Sequence, residues 1–211
     1  MENENLRNKI PKEYSFGEYD SLKTFISYFY QIDSVIKTKP VSVLEIGIGN
    51  GTVSDYLRKT GIQVSTCDLD RNLFPDIVAD IRSLPFKDGL FDTVIACQVL
   101  EHIPFEDFEK ALFELKRISK KYVIISLPET YFYAEGILKI IAPFFERQIR
   151  FLINFPFLRK KLANKEEHFW EIGLKGIPEN KIVKILNKHF KIIKKFKPIL
   201  NANRHFFILE K

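Results

Sequence analysis

Val43-Leu44-Glu45-Ile46-Gly47-Ile48-Gly49-Asn50-Gly51-Thr52 sets an apolar run against three glycines at alternate positions, with a carboxylate just ahead of the first. The apolar run reads as a buried strand, and residues 52–59 read as the helix after it. Between them, glycine lets the backbone turn sharply and approach a ligand that a Cβ would hold away. In an open α/β sheet such a ligand lies in the crevice at the carboxyl ends of the strands.

Working outward, apolar and β-branched runs recur at residues 41–46, 62–67, 77–79, 93–97 and 122–127, each a short buried strand. Residues 105–118 read as a helix opened by Pro104 with Glu106 and Asp107 in its first turn. Strands alternating with helices predict a parallel sheet covered on both faces, because parallel neighbours need a crossover. Residues 178–190 form a further helix, and the runs 192–199 and 206–209, separated by Asn201, Asn203 and Arg204, a closing hairpin. The fold class expected is α/β: a Rossmann-like, doubly wound, mostly parallel seven-stranded sheet with an antiparallel C-terminal hairpin strand. Within one domain over 1–211, the expected parts are an N-terminal helical cap (1–39), a cofactor-binding core (40–128), a helical insertion serving as acceptor lid (129–177), and a closing helix and hairpin (178–211).

Composition agrees with one globular core: 211 residues, 45% hydrophobic and 28% charged, which fits neither disorder nor collagen nor coiled coil. The polar stretch 1–11 has no apolar segment that could act as a secretory signal, and no apolar run approaches bilayer length. Cys67 and Cys97 sit inside strand-like runs and read as buried reduced thiols, so a cytoplasmic address is expected. Charge is uneven: residues 1–129 hold 16 basic and 20 acidic side chains, residues 130–211 hold 17 and 7, giving −4 and +10. Such a basic half is either a solvated face or a surface for an anionic partner.

Two cofactors use a glycine turn of this kind. The dinucleotide fingerprint G-x-G-x-x-G needs its third glycine where Thr52 stands, and it holds a pyrophosphate at the helix N-terminus. Here the third glycine is Gly51, and Glu45 would repel a pyrophosphate while suiting the amino group of a cationic, phosphate-free cofactor. Spacing and charge favour S-adenosyl-L-methionine over NAD.

The E-x-G-x-G-x-G element, Asp68, Ala79-Asp80-Ile81, Leu84-Pro85-Phe86, Phe91-Asp92-Thr93-Val94 and Val99-Leu100-Glu101-His102 together resemble the class I S-adenosylmethionine-dependent methyltransferases. The likeness is to the small-molecule branch typified by quinone and sterol methyltransferases (type 11), and it spans roughly residues 41–128. Asp68 falls 19 residues after Gly49, where an acid ending the second strand can accept both ribose hydroxyls. The resemblance implies the same role for Asp68 and has Asp80 accept from the adenine amino group. It leaves Leu69 and Ile81 against the ring faces. Both aspartates also read as turn formers or helix caps. The expected cofactor contacts are thus Glu45, Gly47, Gly49, Gly51, Asp68, Leu69, Asp80, Ile81 and Gln98, the last at the methionine end.

Methyl transfer is an in-line displacement in which positioning supplies much of the rate, and a base is needed only for a poorly acidic acceptor. Two candidates stand out. His102 lies in the Leu-Glu-His element, but reads first as a structural residue that shapes the helix start. His168, in Glu167-His168-Phe169-Trp170-Glu171, sits where this fold places acceptor-site residues, although the cluster also reads as packing. His189 and His205 have no catalytic assignment. Four histidines and two cysteines show no metal-ligand spacing, so no metal is expected. Cys97 lacks the neighbouring proline of cytosine-C5 methyltransferases, and the Asn/Asp-Pro-Pro-Tyr/Phe element of base-amino methyltransferases is missing, so nucleic acid is not an expected partner.

The insertion crowds Ile137, Leu138, Ile140, Ile141, Phe144, Phe145, Ile149, Phe151, Leu152, Ile153, Phe155, Phe157 and Leu158 among Lys139, Arg147, Arg150, Arg159, Lys160 and Lys161. Three coverings fit that composition: a lid packed over the acceptor pocket, peripheral contact with an anionic membrane, or a homodimer interface. The function expected is methyl transfer from S-adenosyl-L-methionine to a small or lipid-like acceptor. The competing readings are a catalytically silent methyltransferase-like module and an NAD-dependent oxidoreductase.

Overall fold

Strands apolar on both faces need a helical layer on each side, and the order of elements supplies one. The computed structural model describes residues 19–159 and 168–211, and the side chains of 156–159 are not described. The expectations for residues 1–18, Lys160, Lys161 and Glu167 lie outside the described residues, as do those for the side chains of Phe157, Leu158 and Arg159. In chain order the elements are α1 (Leu22–Lys37), β1 (Ser42–Ile46), α2 (Thr52–Lys59), β2 (Gln63–Asp68), β3 (Ile77–Val78), β4 (Phe91–Cys97), α3 (Phe108–Ile118), β5 (Ser119–Pro128), β6 (Tyr131–Ala142), β7 (Phe145–Arg159), α4 (Glu179–His189), β8 (Lys191–Phe196) and β9 (Arg204–Glu210).

Seven strands form one sheet in the order β3-β2-β1-β4-β5-β9-β8. β3, β2, β1, β4 and β5 run parallel, while β9 lies antiparallel between β5 and β8. The doubly wound, mostly parallel sheet with its antiparallel C-terminal strand is therefore present. Side chains alternate across it. Leu44, Val94, Ala96, Val123 and Ile125 face a core shared with Phe108, Leu112 and Leu115 of α3 and Ile182 and Leu186 of α4. Val43, Ile95 and Ile124 face the opposite core, with Val53 and Leu57 of α2 and Tyr28 and Val35 of α1. Both cysteines are free.

Local signals explain the helix ends. Ser21 caps α1 by accepting from Thr24 N. Pro178, whose lack of an N–H costs nothing at a helix start, precedes α4. Asn201 Nδ2 donates to Lys23 O at 2.7 Å, tying the start of α1 to the β8–β9 connection.

The insertion differs from expectation. Residues 131–159 form a two-stranded antiparallel hairpin, β6–β7, where helices were expected. Apolar residues at 137, 140, 141, 144 and 145 imitate a helical stripe, but Pro143 would break a helix and here stands in the turn between Ala142 and Phe145. Ile, Phe and Tyr suit paired strands, and Phe151 lays its ring over Gly136 across the ladder, 2.4 Å from where a Cβ would stand. Much of the hairpin is open: Phe144 is 98% exposed and Ile141 71%. Among the described residues no helix is long and apolar enough to cross a membrane.

Candidate functional site

The glycine turn lies where strand order reverses around β1, at the carboxyl ends of β1, β2 and β4. Gly47 takes φ +79°, and a Cβ there would stand 2.3 Å from Val99 Cγ2, so the position admits only glycine. Gly51, also at φ +79°, precedes α2 without a side-chain cap. Asp68 holds the turn from β2: its Oδ2 accepts from Ile48 N and its Oδ1 from Asp70 N, both at 2.9 Å. From the other side Asn50 Nδ2 donates to Asp20, and the Tyr28 hydroxyl of α1 donates to Asp20 and Asn50.

Two cavities meet at this turn. The larger, about 670 Å³, is lined by Gly47, Gly49, Asp68, Leu69, Asp80, Ile81 and Gln98. His102, Ile103, His168, Phe169 and Arg204 line it as well. The smaller, about 280 Å³, shares Gly47, Gly49 and Gln98 and adds Glu45. Every expected contact but Gly51 thus lines one of the two cavities, and Gly51 shapes the turn between them.

Electrostatics sort these residues. Glu45 is 4% exposed, and burial pushes its carboxyl up to about 8, against the smaller pull of Ser54 hydrogen bonds and the Arg58 charge. Its Oε2 has no hydrogen-bond partner, and neither has Gln98 Oε1. Gln98 itself stands at φ 59°, a strained left-handed conformation, with Nε2 donating to Ser126 Oγ at 3.0 Å. Two buried acceptors without donors therefore line the same small cavity, the complement of an ammonium group with its three N–H donors. Burial also raises Asp68, opposed by its backbone donors. Arg82 hydrogen bonds hold Asp80 below the usual carboxylate range: its guanidinium grips both Asp80 oxygens and bridges to Asp107 at 2.7 Å. Asp68 and Asp80 therefore form turn and ion-pair contacts and line the cavity as well. Burial pushes Cys97 up to about 12, which removes any thiolate nucleophile there.

The 168–171 segment combines both readings of its sequence. Trp170 is 1% exposed, sits edge-on to Phe105 and Phe108, and donates from Nε1 to Ile103 O at 3.0 Å. Phe169 N donates to Glu101 O at 2.9 Å, and these two bonds hold His168 and Phe169 against the cavity. His168 Nδ1 lies 2.7 Å from Glu171 Oε1. Burial lowers the His168 pKa, but the Glu171 bond and the charges of Glu101 and Glu171 outweigh it and raise it. Burial pushes Glu101 up to about 7. His102 packs edge-on to His168, ring centroids 4.9 Å apart. Sequence reading missed Arg82 in the cavity wall, whereas Tyr19 opens the segment read as a cap over the ligand and Arg204 stands as a charge between two apolar runs.

Comparison with known proteins agrees with this geometry. Residues 44–126 match the family model described as a methyltransferase domain. The N-methyltransferase NodS of Bradyrhizobium japonicum WM9, solved with S-adenosyl-L-homocysteine, superposes with a TM-score of 0.65 at 10% identity, covering 99% of this chain and 97% of NodS. Magnesium protoporphyrin IX methyltransferase of Synechocystis PCC 6803 gives 0.62 at 14% identity, covering 99% and 92%. The 1,6-didemethyltoxoflavin-N1-methyltransferase of Burkholderia thailandensis gives 0.59 at 14% identity, covering 100% and 89%. The fold is the Rossmann-like fold of that group. Residues 44–126 thus carry a methyltransferase domain, and the glycine turn at its start lies at the cavities described above.

Proposed function

We propose that the chain methylates a small, largely apolar acceptor seated between Val99, Ile103, His168 and Phe169. When bound, S-adenosyl-L-methionine supplies a methyl group on a cationic sulfur, taken in line by an acceptor lone pair while the carbon–sulfur pair stays on sulfur. Glu45 and Gln98 hold the ammonium end, Asp68 the ribose, and Leu69, Asp80 and Ile81 the adenine. The observation that carries this assignment is the pair of buried, donorless acceptors, Glu45 Oε2 and Gln98 Oε1, beside the glycine turn. His102, His168 and Phe169 then face the acceptor.

Two of the superposed enzymes act, by name, on small molecules, one a porphyrin and one a toxoflavin precursor. The hairpin β6–β7 supports an apolar partner at a separate groove of about 340 Å³, which Ile137 and Arg150 line with Phe25, Phe29 and Leu200. In this reading its open apolar residues, with Lys139, Arg147 and Arg150, make reversible contact with an anionic surface.

Incubation with labelled S-adenosyl-L-methionine and extracts of metabolites and lipids tests turnover, and Asp68→Ala should weaken the cofactor by about 1 to 3 kcal/mol. Phe169→Ala should impair transfer with cofactor affinity nearly intact. Binding of NADH without S-adenosyl-L-methionine would overturn the reading, and cofactor binding without any labelled product would favour a silent module.

A further inference from the structure

The cavity wall facing the acceptor holds a set of side chains that methyl transfer itself does not require. Glu101 and His102 belong to a single turn after β4, Leu100–His102, and His168 arrives 66 residues later. Their carboxylate oxygen and ring nitrogens lie within 4.8 Å of one another. Among the described residues this is the one group of three His, Cys, Asp or Glu ligand atoms gathered so closely.

We propose that Glu101, His102 and His168 bind a first-row divalent metal ion at the acceptor end of the cavity.

Four observations carry the site. Glu101 is fully buried, and apart from its own backbone amide neither carboxylate oxygen has a hydrogen-bond donor. A buried carboxylate without a donor is costly unless a cation meets it. His168 Nδ1 is engaged by Glu171 Oε1 at 2.7 Å, which leaves Nε2 as the ligating nitrogen; a carboxylate behind a histidine is the arrangement that orients metal-bound imidazoles. Backbone and indole bonds from Phe169 and Trp170 to Glu101 and Ile103 hold the two halves of the set in register. Finally, His102 and His168 line the large cavity, so a coordination position left open by three protein ligands faces the acceptor.

Arg204 is the opposing charge, acting on both Glu101 and His168. Two imidazoles and one carboxylate favour zinc, manganese or iron over magnesium, which prefers oxygen ligands throughout. The ion would hold an acceptor oxygen or nitrogen in place beside the methyl group. That role rests on the methyltransferase reading; ion binding does not.

Untagged protein, stripped with chelator and desalted, should take up one Co²⁺ per chain with the visible bands of a nitrogen- and oxygen-ligated site, and Zn²⁺ should displace it. His102→Ala and His168→Ala should each weaken Co²⁺ by at least about tenfold. S-adenosyl-L-homocysteine binding by the same variants should stay near wild type, which also reports that they fold; His102 is exposed and easily replaced. No Co²⁺ uptake by the wild type, or uptake that both variants retain, overturns the site while leaving the methyltransferase intact. Failure of the wild type to bind S-adenosyl-L-homocysteine would instead overturn the functional reading.

Discussion

Glu45 should titrate against the cofactor. In the ligand-free fold, burial lifts its carboxyl from the ordinary 4.5 to about 8, with Ser54 and Arg58 pulling it down less strongly and Asp55 pushing it up. Between these values the folded chain holds a proton that the unfolded chain has released. The stability tied to that proton is fully present below 4.5 and is lost as pH rises through about 8, at up to about 1.4 kcal/mol per pH unit. An ammonium at Glu45 needs the carboxylate, so binding expels the proton. Affinity for S-adenosyl-L-homocysteine should therefore rise by up to about tenfold per pH unit as pH approaches 8 from below. Calorimetry near neutral pH, in buffers of different ionisation enthalpy, should show nearly one proton released by the wild type and none by Glu45→Gln, whose affinity should also be flat with pH. Equal proton release by both proteins, or a flat wild-type profile, refutes the assignment of Glu45 to the ammonium.

Three further outcomes follow from packing and charge. Gly47→Ala brings a Cβ to 2.3 Å from Val99 Cγ2 at φ +79°; left-handed backbone alone costs alanine about 1 to 2 kcal/mol, so adding Val99→Ala should recover only part of the loss in urea unfolding. Lys197→Met removes the 2.6 Å partner of Glu129, which is 5% exposed; about 3 kcal/mol should be lost, lowering Tm by roughly 6 to 12 °C in a thermal melt. The hairpin should bind anionic vesicles at low salt and release them at high salt in sedimentation, and Phe144→Ser should weaken that binding; no binding at low salt would leave the hairpin to lid or subunit contacts.

What the sequence made legible is what periodicity and spacing encode. Residues 43–46 and 93–97 face apolar layers on both sides and read as strands from composition alone. The glycines before Thr52 announced the turn because Gly47 and Gly51 take φ +79°, a conformation strained for any residue with a side chain. The hairpin was misread because Ile137, Ile140, Ile141, Phe144 and Phe145 sit at spacings that suit a helix. Pairing of Leu138 with Ile149 and of Ile140 with Arg147 decides otherwise, and such pairing is a long-range fact. The meeting of Tyr19, Arg82 and Arg204 in one wall was hidden for the same reason: each comes from a different part of the chain.

The site divides by chain position into one wall set by the core and another set by later connections. Glu45 and Asp68 belong to strands packed on the core, and the glycine turn follows the first of them directly, so they cannot shift without disturbing Leu44, Val94 and their neighbours. His168 and Phe169 hang on Trp170, whose buried ring and bond to Ile103 anchor a short connection between the hairpin and α4. Substitution at 168 or 169 can therefore alter what faces the methyl group while the Trp170 anchor and the cofactor wall stay in place. Because Phe169 N also bonds Glu101 O, the acceptor wall is positioned against the turn that follows β4. On the proposed assignment, an acceptor seated there is held by the same sheet as the cofactor, which is the condition for keeping nucleophile and methyl carbon in line.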